Sequence, residues 1–397
     1  MYLKLYEDVF VWRNEREYFI YNSKNYKSFL CDSTPCLEII YNRIADFNNL
    51  YFILIEEDLL DVSVKNWIDN IIKIDAGCVG ESLDSFDSPV SFPPLLRIQT
   101  DIERIKWMYS QGYTGEMLKY LHDITIHING SLNGNLYYAR QMEYPIKTAN
   151  FISIDVVDNL LLYVSKSVTK NICIIGNIFS YYAFDRLFKT IKIYDINVSI
   201  CILFSDFIEA ENAMNILNNI NLKVVLIIDD IIGFRECICD YSNMDIQFVF
   251  PILKKDDISE VFDVIDLKKC NDYLLKPLYN GDNMSFFKNN VYLRKDDILN
   301  FKLNKREVYL HYVVNTNFFG KLIYMPDNKV YSNLNYSHIG ENSELVTELI
   351  YREIVNGKSW RFIRDNGDCS NCLYKYLCPS PSNYELIFNK MNLCCTI

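Results

Sequence analysis

The stretch that decides the fold is residues 124–138, ITIHINGSLNGNLYY. Its first five residues, 124–128, alternate apolar side chains and run into Asn129-Gly130, a pair that is typical of the turn after a buried strand. The residues that follow this pair are mainly small and polar, which indicates a loop. The stretch therefore predicts a buried strand that ends in a polar loop.

Five further strand-like runs follow this first one, and amphipathic helices separate them. Continuous apolar strands that alternate with such helices are typical of parallel β/α units. Six strands are too few for a closed eight-stranded barrel, so the periodicity fits either a partial (β/α)6 barrel or an open doubly wound sheet. The predicted strands are 124–128, 172–175, 198–203, 224–228, 246–250 and 273–275, and the helical faces lie within 157–164, 184–191, 210–217 and 258–265.

The first part of the chain predicts a small domain of its own, residues 1–85. Three short runs rich in aromatic and β-branched residues are separated by polar turns, which is typical of a three-stranded meander. Two amphipathic helices are predicted after it; Thr34 with Pro35 marks the start of the first, and Gly77 is expected to end the second. The predicted strands are 9–12, 18–21 and 26–30, and the helical faces lie within 37–44 and 64–71.

Domain boundaries follow from composition. A stretch rich in Ser, Asp and Pro without periodicity, 82–94, indicates a linker. We therefore expect residues 86–121 to form a linker and a helix, residues 122–305 the β/α region, and residues 306–397 a C-terminal domain. That last domain opens with a predicted hairpin at 322–334, and a helix follows it.

A cluster of cysteines at the C-terminus is the strongest chemical signal. Five of the thirteen cysteines fall at Cys369, Cys372, Cys378, Cys394 and Cys395. Two thiolates three residues apart can bind one metal centre from a single turn, and two more complete four-coordination. In a reducing compartment such clustering points to a metal before disulfide bonds. The other eight cysteines are predicted to be mostly small buried hydrophobes.

Composition excludes several classes of function. The net charge of −11 argues against a general nucleic-acid binder, which needs a basic surface. No apolar run approaches the roughly 18 to 20 residues that a membrane span requires, so we expect no membrane insertion. The N-terminus carries charges throughout and does not resemble a signal peptide, so a cytoplasmic location is expected.

The loop after the first predicted strand resembles a known cluster-binding loop, but it lacks the cysteine ligands of that loop. Radical-SAM enzymes follow their first barrel strand with a Cys-x3-Cys-x2-Cys loop that holds an iron–sulfur cluster. At that spacing this chain has Ser131, Asn135 and Tyr138, and none of them supplies a thiolate. Residues of these types in a loop most often form turns or face solvent, so a structural role is expected for all three.

The second strand end departs from the same pattern. Radical-SAM enzymes carry a Gly-Gly-Glu-type turn there, which receives the amino group of S-adenosylmethionine. This chain has Gly-Asn-Ile at 176–178, and Ile178 offers no ionic partner to an ammonium. With the run CPSPSNYE at 378–385 and residues 392–394, the chain resembles the pseudo-radical-SAM proteins of ribosomal-peptide maturation systems, of the GG-Bacteroidales type.

This resemblance implies a fold. It favours the partial (β/α)6 TIM-like barrel over the open sheet. It also implies a winged-helix-like peptide-recognition domain at 1–85, for which a structural cap is the alternative, and a SPASM- or twitch-like metal-binding domain at 306–397.

The resemblance also implies one auxiliary [4Fe-4S] cluster. Ordinary SPASM domains hold two, but residues 320–335, where the first would find ligands, contain no cysteine. Zinc is the main alternative, because four thiolates also suit a structural zinc site, and unmetallated cysteines are a third reading. Cys395 could replace Cys394 as the fourth ligand. The implied ligands are Cys369, Cys372, Cys378 and Cys394.

The function that the resemblance implies is that of a catalytically degenerate accessory protein. It would bind the leader of a precursor peptide, which adds as a strand to a sheet edge, and assist a true radical-SAM maturase without binding S-adenosylmethionine. Two alternatives stay open: an enzyme that uses the C-terminal metal for non-radical peptide chemistry, and a zinc-stabilised scaffold.

The remaining polar candidates are weaker. The four histidines lack metal-ligand spacing, and His127, within a predicted strand, is expected to be a satisfied core or surface residue. Asp229 and Asp230 end a predicted strand, where helix capping is favoured over a paired-acid role. Cys237 and Cys239 form a Cys-x-Cys pair, which is a poor metal spacing by itself.

Overall fold

A computed structural model describes residues 1–55, 58–88, 90–92, 101–169, 171–194, 197–211, 213, 216–217, 222–239, 241 and 244–394. These residues form two small antiparallel sheets near the N-terminus and one nine-stranded, mostly parallel sheet. None of the helices in these ranges combines the length and the apolar composition that crossing a bilayer requires.

The N-terminal part contains two three-stranded antiparallel sheets. Their strands are β1 Tyr2–Leu5, β2 Val9–Arg13, β3 Glu17–Asn22, β4 Ser28–Asp32, β5 Phe52–Leu54 and β6 Gly77–Gly80. The sheet β2-β3-β4 confirms the predicted meander, but its third strand begins two residues late because Tyr26 adopts a left-handed φ of 64°. The sheet β5-β1-β6 is missing from the sequence prediction, because its strands are short and carry little β-pattern.

Two helices pack against these sheets, α1 Pro35–Ala45 and α2 Val62–Lys73. Thr34 caps α1 by accepting a hydrogen bond from the Leu37 amide at 3.3 Å, as predicted. The expectation that Gly77 ends α2 is wrong. Gly77 lies in β6, where a Cβ atom would stand 2.4 Å from the carbonyl oxygen of Lys4, so this glycine permits the close strand pairing instead.

Six parallel strands follow, each within two residues of its predicted bounds. They are β7 Asp123–His127, β8 Asn171–Ile175, β9 Val198–Leu203, β10 Lys223–Ile227, β11 Ile246–Ile252 and β12 Tyr273–Pro277. Neighbours in sequence are neighbours in the sheet, and every pair is parallel. This confirms consecutive β/α units.

The helices of this region and of the segment after it are mostly amphipathic. The predicted faces at 157–164 and 184–191 are confirmed, the face at 210–217 lies partly outside the described residues, and Phe262 in the fourth face is exposed rather than buried. The helices are α3 Asp101–Ser110, α4 Leu136–Ala139, α5 Ile154–Val164, α6 Phe184–Tyr194, α7 Phe204–Glu209, α8 Ile231–Glu236, α9 Lys255–Lys268, α10 Met284–Asn290, α11 Lys295–Asn300 and α12 Lys305–Val313.

The large sheet is curved, and its two faces differ. Helices α5, α6 and α9 pack into the core on one face, whereas none of them contributes to the hydrophobic cluster on the other face. Side chains of β7 and of β12, five strands away, line one cavity of about 220 Å³ on that inner face. In a flat sheet they would be about 24 Å apart. Helices on one face and a curved inner face fit a partial barrel better than a doubly wound sheet.

The C-terminal part extends this sheet. Its elements are β13 Lys321–Tyr324, β14 Lys329–Tyr331, β15 Gly340–Glu341, α13 Val346–Asn356 and α14 Asn383–Phe388. Strands β13 and β14 form the predicted hairpin, and the predicted helix appears as α13. The sequence did not indicate that β13 also pairs, in parallel, with β7. The hairpin therefore joins the barrel strands in one sheet.

The N-terminal meander packs on the cysteine-rich segment. Trp12 and Phe19 share a hydrophobic cluster with Tyr374 and Leu377, and the rings of Phe19 and Tyr374 meet edge to face at 5.1 Å. The two ends of the chain therefore form one packed unit.

Candidate functional site

The loop after β7 gives each of its three candidate positions a protein partner. The Ser131 hydroxyl donates to Oδ1 of Asp206 at 3.0 Å. Asn135 caps α4 through its side-chain oxygen. The ring of Tyr138 meets that of Tyr144 edge to face, with centroids 5.5 Å apart. These side chains are engaged in turn formation and packing.

Asp206, at the start of α7, is a site residue that the sequence reasoning missed. It lies directly after the predicted strand 198–203, and that position at a strand end is the only signal the sequence carries. Ser131 and Asn177 donate to its Oδ1 atom, at 3.0 and 3.2 Å, while its buried Oδ2 atom has no partner among the described residues. Burial raises the pKa of Asp206 to about 6, and the nearby Asp229 carboxylate adds to the rise.

The turn after β8 faces the same loop. Gly176 adopts a φ of 135°, and a Cβ atom there would stand 2.3 Å from the side-chain oxygen of Asn129. Asn129 in turn donates to the carbonyl oxygen of Asn177 at 2.7 Å. Ile178 is fully buried in the hydrophobic core on the helical face. Position 178 is therefore a core position in this chain.

The two aspartates after β10 have separate structural partners. Asp230 caps α8 by accepting a hydrogen bond from the Gly233 amide at 2.9 Å, which confirms the capping prediction for this residue. Asp229 accepts hydrogen bonds from the Ser205 amide and hydroxyl at 3.0 and 2.6 Å, so it joins the ends of two strands.

The segment after the first loop fills the inner face of the curved sheet. Met142, Tyr144 and Ile146 are buried there against apolar side chains from the strands β8 to β11. The strand residues in this inner cluster are Ile175, Cys201, Leu203, Ile227 and Val249. The space between the strand ends and the centre of the sheet is therefore occupied by the chain itself.

Charged groups also lie on this inner face. Lys321 forms an ion pair with the half-exposed Glu143, Nζ to Oε1 at 3.0 Å, and this ammonium lowers the pKa of Glu143 to about 2. His127 is 2% exposed and has no hydrogen-bond partner at Nδ1 among the described residues, and burial lowers its pKa to about 4. The expectation that the polar atoms of His127 have hydrogen-bond partners is therefore wrong for Nδ1. Because its pKa is lowered, the imidazole is neutral at pH 7.

The cysteine-rich segment brings four of its thiols into electrostatic contact. Cys369 interacts with Cys372, Cys378 and Cys394, and Cys394 also interacts with Cys372 and Cys378. Burial raises the pKa of all three thiols at 369, 372 and 378, for Cys378 to about 12. In this arrangement they are neutral thiols, so binding a metal would release protons.

A buried ion pair lies beside these thiols. Arg364 and Glu385 have side chains that are 7% and 2% exposed, and their Nη2 and Oε1 atoms are 2.8 Å apart. Arg364 also donates to the carbonyl oxygens of Pro379 and Met391 at 2.6 and 2.9 Å, and its Nη1 lies 3.9 Å from Sγ of Cys369. This cation partly offsets the desolvation of the thiols, because it lowers the thiol pKa values.

The chemistry of these donors suits a thiolate-bound metal, but their arrangement is not that of an assembled site. Within the described ranges, no group of three or more His, Cys, Asp or Glu side chains is placed to hold a metal ion. Cys395, the alternative fourth ligand, lies outside the described residues.

The remaining histidines and the Cys-x-Cys pair have partners of their own, and His311 lies beside the cysteine-rich segment. His122 contacts the ring of Phe319, and Nδ1 of His311 lies 3.0 Å from the carbonyl oxygen of Tyr376. His338 lines a second cavity. The Sγ atoms of Cys237 and Cys239 are 2.8 Å apart.

Comparisons with known proteins give no family. No protein-family model matches the chain, and no curated protein matches it. Solved structures that align with it include Streptococcus suis SuiB bound to S-adenosylmethionine, with a TM-score of 0.47, 9% identity, and coverage of 99% of this chain and 98% of that one. SuiB bound to its precursor peptide SuiA aligns with a TM-score of 0.44, 10% identity and full coverage of both chains. Native anSMEcpe with bound AdoMet and the Cp18Cys peptide aligns with a TM-score of 0.42, 12% identity, and coverage of 65% and 88%.

Proposed function

We propose that this chain is a catalytically degenerate radical-SAM-like accessory protein. It binds a ribosomally synthesised precursor peptide and assists its modification by a true radical-SAM maturase. One observation carries the proposal: the curved β/α sheet is kept, while the three ligand positions at its first strand end hold Ser131, Asn135 and Tyr138, each bonded or packed within the protein.

Two features support the absence of S-adenosylmethionine chemistry in this proposal. No thiolate is available in the loop after β7, and the turn after β8 directs Ile178 into the core, where it cannot receive an ammonium group. The inner face is filled by Met142, Tyr144 and Ile146, so a cofactor at the strand ends would have to displace buried side chains. The protein therefore acts by binding and presenting its partner.

The N-terminal meander is the proposed winged-helix-like peptide-recognition element. Among the described residues, β4 pairs only with β3, so its outer edge is free to accept a leader as an added strand. In β4 the side chains of residues 28–31 are half-buried and that of Asp32 is exposed, so they could contact the side chains of a leader added at this edge. Backbone hydrogen bonds at this edge would provide affinity for the leader.

The C-terminal domain is the proposed SPASM- or twitch-like unit. Cys369, Cys372, Cys378 and Cys394 would hold one auxiliary [4Fe-4S] cluster, with zinc as the alternative metal. When bound, such a centre would serve to join the segments that carry the cysteines. Anaerobic purification followed by iron, sulfide and zinc analysis distinguishes the two, because only a cluster adds equal amounts of iron and sulfide.

Co-expression tests the accessory role in the cytoplasmic setting that we propose. The precursor and its radical-SAM maturase are produced with and without this chain, and the mass of the precursor is measured. Modification should fall sharply when this chain is missing or when the precursor lacks its leader. Equal modification without it would refute the accessory role. Formation of 5′-deoxyadenosine by the isolated, reconstituted protein would refute its catalytic inactivity.

A further inference from the structure

The inner cavity of the curved sheet has a charge that is unusual for this chain. It measures about 220 Å³ and is lined by β7, β8, β12 and β13 together with the segment 139–143 and residues near α14. Its charged side chains are Arg140, Lys276, Lys321 and Glu143. Three cations and one carboxylate give it a positive excess of two charges, in a protein whose net charge is −11.

Only one of these cations is neutralised. Lys321 is paired with Glu143 at 3.0 Å. Neither Lys276 nor Arg140 has a side-chain ion-pair partner in the part of the chain that the structure describes, although both line the cavity. Glu143 attracts Lys276 but is already committed to Lys321, the stronger of its two cationic neighbours. In the described part of the chain, Lys276, which is half-buried, and Arg140, which is exposed, therefore line the cavity without an ion-pair partner.

His127 is a second, independent sign of a ligand. It lines the same cavity and is 2% exposed, and within the described residues its Nδ1 atom has no hydrogen-bond partner. A buried polar group without a partner is costly, and native structures usually give it a protein, water or ligand partner. A neutral imidazole that carries its proton on Nδ1 can donate a hydrogen bond to a carboxylate oxygen.

We propose that this cavity binds a ligand through its carboxylate groups, with Lys276 and Arg140 as the charged partners and His127 as a neutral hydrogen-bonding partner. Pockets for drug-sized ligands are roughly 300–1,000 Å³, so the cavity suits a small dicarboxylate or one acidic side chain rather than a whole cofactor. Arg140 and Leu334 also line a neighbouring cavity of about 410 Å³, which offers a path for the rest of a longer ligand. This binding goes beyond the accessory role and does not depend on it.

Histidine NMR on the full-length protein tests the site directly, because the chain has only four histidines. The probe is succinate, titrated at pH 7 with isotope-labelled histidine. The resonances of His127 should shift and saturate, while His338, which lines the neighbouring cavity, and the two other histidines should not follow the same curve. Binding without any response of His127 would overturn the proposal.

Substitutions test whether Lys276 and Arg140 bind the ligand. Lys276→Gln and Arg140→Gln should each weaken succinate binding about tenfold or more, because a charge-assisted hydrogen bond is lost. Lys276→Arg, which keeps the charge, should retain most of the affinity and guards against an effect of misfolding. Lys288→Gln, an equal change of charge on the exposed surface of α10, should leave it unchanged. Equal affinity of all four variants would overturn the proposal.

Further probes identify the source of the carboxylate. A blocked Ala-Glu-Ala peptide that binds, where the Ala-Gln-Ala version does not, would assign the site to an acidic side chain of a bound peptide. Succinate binding without peptide binding would assign it to a free small acid. Both results support a carboxylate site. Inorganic phosphate that binds as tightly as succinate, or no binding of any probe, would overturn it. Failure of the co-expression experiment would leave these measurements unchanged.

Discussion

The loop after β7 and the cysteine-rich C-terminal segment are the two candidate regions of this chain, and they differ in their chemistry. At the loop, Ser131 donates a hydrogen bond to the Asp206 carboxylate, and Asn135 caps α4. At the C-terminal segment, four thiols interact with one another beside a buried arginine. The first region is built from polar groups that need no ion, whereas the second keeps soft donors and a compensating cation.

This difference concerns how the two regions are stabilised. Ser131, Asn135 and Tyr138 take part in turn formation and packing. The buried thiols make weaker contacts with the backbone, such as the 3.7 Å contact from Cys369 to the carbonyl oxygen of Met391, and Arg364 supports them electrostatically. We therefore predict that the free energy of unfolding depends on charged groups in the C-terminal segment. In the loop after β7 it should depend on packing and helix capping.

The largest expected effect is on the C-terminal side. Arg364→Met keeps much of the side-chain volume but leaves Glu385 buried without its cation. We expect the free energy of unfolding to fall by about 3–5 kcal/mol, the usual cost of breaking a buried ion pair from one side. Urea denaturation measures this free energy of unfolding. As a control, Lys106→Met breaks the exposed ion pair with Glu103 and should change the free energy of unfolding by less than about 0.5 kcal/mol. Similar losses in both variants would contradict the comparison.

The second prediction introduces cysteines into the loop after β7. The triple variant Ser131→Cys, Asn135→Cys and Tyr138→Cys has the Cys-x3-Cys-x2-Cys spacing, yet we expect its iron content after anaerobic reconstitution to equal that of the wild type. Met142, Tyr144 and Ile146 are buried behind the loop, so a cluster there would have to displace them.

The triple variant should also lose stability. The Asn135 cap, the Ser131 hydrogen bond and the aromatic contact of Tyr138 are each worth about 1 kcal/mol, so a loss of roughly 3 kcal/mol is expected. Cys372→Ser in the same assay is the matched control, and it should lower the metal content if the C-terminal thiols bind one. A gain of about four irons per chain in the triple variant would show that the loop is still a cluster site.

The sequence predicted the parallel strands well because their signal is local. Runs such as 198–203 and 246–250 are continuous and apolar, and the helices between them have a clear period. The curvature, the parallel pairing of β13 with β7, and the role of Asp206 depend on contacts between distant parts of the chain. Arg140 and Lys276 are 136 positions apart and carry no shared motif, so the charge of the inner cavity could not be foreseen.

The pH dependence of the protein's stability tests the role of Asp206 at the end of β9. Its folded-state pKa, about 6, lies above the value of about 3.9 for a free aspartate, so the folded protein binds this proton more tightly than the unfolded chain. The associated stabilisation is complete below pH ~4 and is lost as the pH rises through 6. Asp206→Asn should therefore match the wild type at pH 4 and exceed its stability by roughly 1–2 kcal/mol at pH 8.

Chemical denaturation at the two pH values measures this difference. Asp230→Asn is the control, because Asp230 caps α8 through the Gly233 amide, and asparagine caps a helix about as well as aspartate. A loss of stability in Asp206→Asn at pH 8 would mean that the ionised carboxylate is stabilised by more than the two donors that contact it.

The smallest expected change in stability distinguishes Ser131 from Asn135, two residues of the same loop. Ser131→Ala removes one donor to Asp206 and should cost about 1 kcal/mol. Because this hydrogen bond favours the ionised carboxylate, its loss raises the pKa of Asp206 further, so the cost should be larger at pH 8 than at pH 5. Asn135→Ala removes the α4 cap at a similar cost, but among the described residues the Asn135 side chain bonds backbone amides and not a titrating group, so its effect should be equal at both pH values. If Ser131→Ala lowers the free energy of unfolding equally at both pH values, the Ser131 hydroxyl does not stabilise the ionised Asp206 carboxylate. It would then act, like the Asn135 cap, only in forming the turn.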